Sequence, residues 1–231
     1  MPERLVLPTD RPYPPVAGQR GGRVAVEWPA RLQQQVARVA REHNATGFMV
    51  VQAALAVLLG KLAASSDVAV GFPIAGRRDP ALDELVGFSS IRWCCGWIWP
   101  VIPVWLSCWP GAGAQPGCFR ASGCAFEVLV ERLNPARSLA HHPLVQVMLA
   151  WQNLPGQLGD GLAGLALGDL QVAQMPIDTH TARVDLSFSL AECFTEAGEP
   201  AGISGMVEFR SDVFDAASVE ALVGGCSGCW R

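Results

Sequence analysis

Between Pro29 and His43 the apolar residues Leu32, Val36, Val39 and Ala40 fall at a spacing that lays one stripe along a helix. Asn44-Ala45-Thr46 breaks that helix and offers the N-cap of a second, predicted from Gly47 to about Ala64. The second helix has a wider apolar face, formed by Phe48, Val51, Leu55, Leu58, Leu59 and Leu62. Gln52 and Lys61 interrupt it, which fits burial in a core rather than a membrane span. Asp67 to Ile74 is rich in Val and closes around Gly71, Pro73 and Gly76, the pattern of a buried strand ending in a turn. Phe126 to Leu133 reads as a short helix stopped by Asn134-Pro135. Leu144–Trp151, Leu170–Met175, Arg183–Leu190 and Ile203–Phe209 then read as extended. The last two are joined through Glu196-Ala197-Gly198-Glu199-Pro200 as a hairpin, and Asp215 caps a final helix starting at Ala216.

Helices first and strands second, with long connections, predict a mixed-sheet α/β (α+β) lobe. Residues 7–22 hold four prolines and three glycines, which disfavour helix, so residues 1–28 are expected to be a linker and lead-in to that lobe.

The chain has 231 residues, 50% of them hydrophobic and 16% charged, enough for a buried core. A net charge of -4 leaves no broad positive field for a phosphate backbone, so nucleic acid is not expected as a partner, nor is a membrane. Met1-Pro2-Glu3-Arg4-Leu5 shows no signal-peptide pattern, from which a cytoplasmic location without disulfides is expected.

One stretch breaks the composition. Residues 89–125 contain no Asp, Glu or Lys, yet hold five of the eight tryptophans and five of the eight cysteines. No period of 2 or 3.6 organises them. The genetic code offers a reason. Trp and Cys codons both begin TG, so reading one base earlier turns them into Leu, Met or Val codons. In that frame Cys94 becomes Val, Cys95 becomes Leu, Ile98 becomes Asp and Pro100 becomes Ala, and Trp93–Pro100 takes on strand character. The expectation is a frameshifted stretch at 89–125 and a second at 225–231.

The remaining residues carry an ordered series of short motifs. Leu7-Pro8-Thr9-Asp10-Arg11-Pro12, Ala45-Thr46-Gly47-Phe48-Met49-Val50, Val70-Gly71-Phe72-Pro73-Ile74-Ala75-Gly76-Arg77 and Leu85-Val86-Gly87-Phe88 come first. Leu133-Asn134-Pro135-Ala136-Arg137-Ser138-Leu139, His142-Pro143-Leu144-Val145-Gln146-Val147-Met148-Leu149, Val184-Asp185-Leu186-Ser187 and Phe214-Asp215 follow. In this order they resemble the C-terminal half of a nonribosomal peptide synthetase condensation domain and cover most of the chain, with the lobe itself expected over residues 29–224. The family's Phe-Val-Asn-Thr segment is missing after Phe88, and its His-Gln-Asp-x-Pro-Phe-Glu is reduced to Phe126-Glu127. Shifted frames of Ser89–Arg92 and Ala121–Ala125 can encode both.

The resemblance implies a chloramphenicol acetyltransferase-like fold of two lobes with a tunnel between them. Thioesters carried on the phosphopantetheine of carrier-protein domains enter it from opposite ends, and the amine of one attacks the other. The family's His-His-x-x-x-Asp-Gly motif belongs to the N-terminal lobe, and its second His positions or deprotonates the amine. The expected partners are therefore carrier proteins and the missing lobe, with no cofactor bound directly.

No residue of this chain is expected to be catalytic. His141-His142 continues into Pro143-Leu144 with no Asp-Gly at the required place, and reads as the start of a strand. Arg77 resembles the family Arg that pairs with the motif's Asp and holds the catalytic loop in shape; without the partner lobe it reads as a solvated turn Arg. Asp160-Gly161 reads as a turn. Cys226-Ser227-Gly228-Cys229 has CxxC spacing but no second ligand pair for zinc. Three functions compete: a fragment of a peptide-bond-forming enzyme, a carrier-protein docking surface, and the inert product of a disrupted gene.

Overall fold

A computed structural model describes residues 4–75, 90–98, 130–132, 134–152 and 179–228. Strand β1 (Gly21–Pro29) runs directly into helix α1 (Ala30–Glu42), because Pro29, with φ at -68°, ends the extended run at the helix N-cap. Asn44, at φ 52°, turns the chain, and the Thr46 hydroxyl accepts the Met49 N–H at 3.2 Å to start helix α2 (Gly47–Leu62). The two helices meet at a bend of 103°, and both press apolar residues into the core. Among the described residues no single helix is long and apolar enough to cross a membrane.

Strands β2 (Asp67–Ala75), β3 (Ser90–Ile98), β4 (Val147–Trp151), β5 (Leu186–Phe194) and β6 (Pro200–Arg210) join β1 in one six-stranded sheet of order β1-β6-β5-β4-β2-β3. β4 lies parallel to β2 and β5, while the β1–β6, β5–β6 and β2–β3 pairs are antiparallel. The sheet is therefore mixed, as expected, and β5–β6 is the expected hairpin.

Alternation decides the faces. Val24, Val26 and Trp28 of β1, Val68, Val70 and Phe72 of β2, Val147 and Leu149 of β4, Leu186, Phe188 and Leu190 of β5, and Ile203, Val207 and Phe209 of β6 are buried. They meet α1, α2 and helix α3 (Ala216–Gly228), which contributes Val219, Val223 and Cys226. Gln33 is buried with them because its carbonyl accepts the Gly202 N–H at 2.8 Å. At Gly202, φ is 128° and a Cβ would stand 2.4 Å from the Trp28 carbonyl, so only glycine lets β6 approach β1 there.

Three boundaries differ from the sequence reading. Residues 21–28, expected to lie in the linker and lead-in, belong with Pro29 to an edge strand, since Val24, Val26 and Trp28 alternate into the core. The stretch before it is no loose connector. Leu5 and Leu7 are buried in the core, and the Leu5 N–H reaches the Gln146 side chain at 3.0 Å. The strand expected from Leu144 begins at Val147, because Leu144 takes φ 65° and the Val145 N–H turns back to the Pro143 carbonyl.

Within the stretch of anomalous composition, Ser90–Ile98 pairs with β2 along its whole length as written. Helix is described at 130–132 within the expected 126–133, and α3 continues past Gly225 to Gly228. The expected strand Leu170–Met175 lies outside the described residues.

Candidate functional site

Strands β5 and β6 place Asp185 and Arg210 side by side: the Arg210 N–H bonds the Asp185 carbonyl one step beyond the Leu186–Phe209 register pair. Both side chains are buried, Asp185 at 1% and Arg210 at 2% exposure, and the guanidinium reaches the carboxylate at 3.2 Å. Arg210 also holds both oxygens of Asp212, at 2.9 and 2.6 Å, and donates to the Ala140 carbonyl at 2.6 Å. Tyr13 closes the group from the N-terminal strap, its hydroxyl donating to the second Asp185 oxygen at 2.5 Å. The guanidinium carbons of Arg4 and Arg210 stand 4.5 and 5.7 Å from the centre of the Tyr13 ring, and His141 meets the same ring edge-on.

Burial pushes the Asp185 carboxyl above its usual value, against the pull of the Tyr13 hydroxyl and the Arg210 charge. Burial, then the Asp185 charge, keeps the Tyr13 phenol protonated far beyond neutral pH. Burial also presses Asp212 upward. The Arg210 hydrogen bond and the Gly18 N–H outweigh that and hold it below the usual carboxylate range.

The strap is tied at a second point. The Asp10 carboxylate accepts the Asp215 N–H at 2.7 Å and the Ser218 hydroxyl at 2.6 Å, placing negative charge at the N-terminus of α3. Asp215 stands at the expected cap position, its carbonyl accepting the Val219 N–H at 3.2 Å, and Arg11 engages its carboxylate. The Leu7–Pro12 and Phe214-Asp215 motifs are thus two sides of one contact.

The second face of the sheet lies opposite the apolar rows that meet α1, α2 and α3. Register places Arg23 of β1, Glu208 of β6, Ser187 of β5, Met148 of β4 and Gly71 of β2 in one row across it. Arg23 grips one Glu208 oxygen through two nitrogens, at 3.0 and 2.7 Å. Over this row the segment Thr179–Val184 makes a wall, leaving a cavity of about 410 Å³. Ser187, Glu208 and Met148 line it on the sheet side, and Thr179, Thr181, Ala182, Arg183 and Val184 on the wall.

The wall is pinned by backbone bonds. The Gly21 N–H donates to the His180 carbonyl at 2.8 Å and the Ala182 N–H to the Gln19 carbonyl at 2.9 Å. A Cβ on Gly21 would stand 2.7 Å from the Thr181 backbone, so glycine permits this approach.

Of the residues singled out in the sequence, Arg77, Asp160-Gly161 and Cys229 lie outside the described residues. His141 and His142 lie in the bend before β4, with the His142 ring nitrogen 2.8 Å from the Pro143 carbonyl. Cys226 is buried in α3, and Cys193 stands 2.9 Å from the Ser204 hydroxyl. Sequence reading missed Tyr13, Arg183 and Arg210. Two signals were present: Tyr13 is the chain's one tyrosine, and Arg210 ends an apolar strand beside the Val184–Ser187 motif in space but not in sequence.

Comparison with known proteins agrees with this architecture. A condensation-domain family model matches residues 2–89. The isonitrile lipopeptide synthase of Mycobacterium tuberculosis is 58% identical over 232 residues, covering 96% of this chain and 9% of that protein. The dimodular nonribosomal peptide synthase of Bacillus subtilis is 33% identical over 223 residues, again 96% of this chain and 9% of its own length. The chain thus spans under a tenth of these relatives. Among solved structures, the X-domain from teicoplanin biosynthesis superposes on all of this chain and 50% of its own, with a TM-score of 0.87 and 26% identity. The complex of that X-domain with OxyB gives a TM-score of 0.85 at 24% identity. Motif order, the family-model match and the fold thus make the chain similar to the condensation domains of nonribosomal peptide synthetases.

Proposed function

We propose that this chain is one lobe of a condensation domain and acts only when the second face of its sheet meets the other lobe. The observation that carries the reading is coverage: all of the chain superposes on half of a condensation-type structure. The chain also lacks the His-His-x-x-x-Asp-Gly motif that the family's other half supplies. In this reading the lobe offers a wall to carrier-borne thioesters, whose phosphopantetheine arms belong to partner carrier domains. Amide formation needs a general base or positioning His that this chain does not bring. Arg77 keeps the role its motif implies, an arginine that would pair with the Asp of that absent motif.

The test is a condensation assay with loaded donor and acceptor carrier proteins. The expected result is no turnover by this chain alone, and turnover when the complementary lobe is added in trans. Turnover by the chain alone refutes the reading.

A second reading is a docking platform without chemistry. It is favoured by one observation, that a structure sharing this fold was solved as a complex of an X-domain with OxyB. Titration with a carrier protein separates it from an inert chain: saturable binding supports docking, and none refutes it.

A further inference from the structure

We propose that the N-terminal strap, residues 4–18, is a lock that opens and closes on the lobe as one piece while the six-stranded sheet stays folded. Closed, it caps helix α3 and holds the Asp185–Arg210 end of the sheet; open, it gives both up to water.

The sequence makes the strap stiff. Pro8, Pro12, Pro14 and Pro15 hold φ fixed and bring no backbone N–H, and from Arg4 to Gln19 the chain forms neither helix nor strand ladder. Proline-rich segments of this kind are semi-rigid, so the strap moves as a unit rather than fraying residue by residue.

Its attachment is a series of separate points. The Leu5 N–H reaches the Gln146 side chain at 3.0 Å, and the Asp10 and Arg11 N–H groups both donate to the Val213 carbonyl, at 2.9 and 3.2 Å. Nearer the sheet, the Ala17 N–H donates to the Leu139 carbonyl at 2.8 Å and the Gly18 N–H to the Asp212 carboxylate at 3.0 Å. In return the Asp10 carboxylate accepts from Asp215 and Ser218, and the Tyr13 hydroxyl holds Asp185.

Much of this lies in water. Arg11 and Asp215 are 46% and 55% exposed, and an ion pair so placed contributes little. Among the described residues the strap's buried apolar side chains are Leu5 and Leu7, whereas Val6 and Val16 are exposed. Strand β6, by contrast, pairs with β1 on one side and β5 on the other and buries Ile203, Val207 and Phe209. Opening free energy follows local burial and protected backbone bonds, which makes the strap the weaker unit.

The pivot is Gln19. Its φ of 53° is left-handed for a residue that carries a Cβ, and its carbonyl is fixed by the Ala182 N–H at 2.9 Å. The chain beyond it is therefore anchored, and opening relieves strain on the strap side.

Native-state hydrogen exchange on the full chain, read amide by amide by NMR, tests the lock. The amides of Leu5, Asp10, Arg11, Ala17 and Gly18, with that of Asp215 on the α3 side, are expected to share one opening equilibrium. It should be at least about tenfold more populated than the opening of the β5–β6 ladder, with a smaller urea dependence because less surface is exposed. Asp10→Ala should speed exchange at Leu5 and Ala17 by the same factor as at Arg11. Leu5 and Ala17 are bonded to Gln146 and Leu139, so purely local loosening would leave them unmoved. Should Asp10→Ala fail to fold, Tyr13→Phe keeps the ring, removes only the hydroxyl on Asp185, and is read at Leu5 and Arg11 in the same way. Strap amides that open only with the ladder and share its urea slope overturn the lock. Unrelated rates along the strap, or a substitution effect confined to the nearest amide, overturn it as well.

Discussion

Replacing Arg210 by Met would remove the cation from a carboxylate that is 1% exposed. The Asp185 oxygen now held at 3.2 Å would lose its partner, and Tyr13 alone would serve the other oxygen. Breaking a buried pair from one side costs about 3–5 kcal/mol, because the remaining charge stays desolvated. For a chain of this size each kcal/mol lowers the melting temperature by about 2–4 °C, so Arg210→Met is expected to lower it by roughly 6–20 °C.

Acidification should narrow that gap. Burial raises the folded-state Asp185 pKa above its unfolded value, so its ionised form opposes folding. The penalty is greatest at neutral pH and fades as pH falls through the raised value, where the carboxyl takes up a proton. The double variant Arg210→Met with Asp185→Leu should recover part of the loss, since no charge then stays fully buried, while Asp212, at 19% exposure, still loses its cation but keeps access to water. The assay is thermal unfolding followed by circular dichroism at several pH values. A loss below about 2 °C for Arg210→Met, or a double variant no better than the single, refutes the claim that a buried charge pair organises this end of the sheet.

Other outcomes follow from the same contacts. Asp10→Asn should destabilise the fold at neutral pH in a salt-sensitive way. The Ser218 hydroxyl and Asp215 N–H hold the Asp10 pKa below 3.8, so its contribution is present above that value and is lost as pH falls through the lowered one; unfolding at neutral and acid pH checks this. Gly205→Ala would drive a Cβ to 2.0 Å from the Ser189 carbonyl at φ 157°, and should cost about 3 kcal/mol or more, read as lost solubility or a depressed urea midpoint. Sequencing the coding DNA should show alternative-frame codons for a continuous strand and helix across 89–125 and beyond Gly225. Neighbouring frames without such continuations would reject the frameshift.

The helical half was legible because the stripe Leu32, Val36, Ala40 and the Asn44–Thr46 break are local signals, needing only neighbours within a few residues. The hairpin was legible for the same reason, through Gly198 and the alternating β5 and β6. Edge strand β1 was hidden by the prolines and glycines before it, which mark where a helix is absent but not where a distant strand will pair. The Tyr13–Asp185–Arg210 group was hidden by separation: Asp185 follows Tyr13 by 172 positions, and Arg210 follows Asp185 by 25.

Order of motifs thus carried the resemblance to condensation domains, and periodicity and capping the mixed α/β class, since those features are written along the chain. Tertiary structure alone decided that the N-terminal strap is part of the core, that Asp185 and Arg210 share a buried pocket, and that Arg183 stands over a cavity. Each of these depends on strand register, which brings residues far apart in sequence to within hydrogen-bond reach and sets which polar groups must find partners out of water.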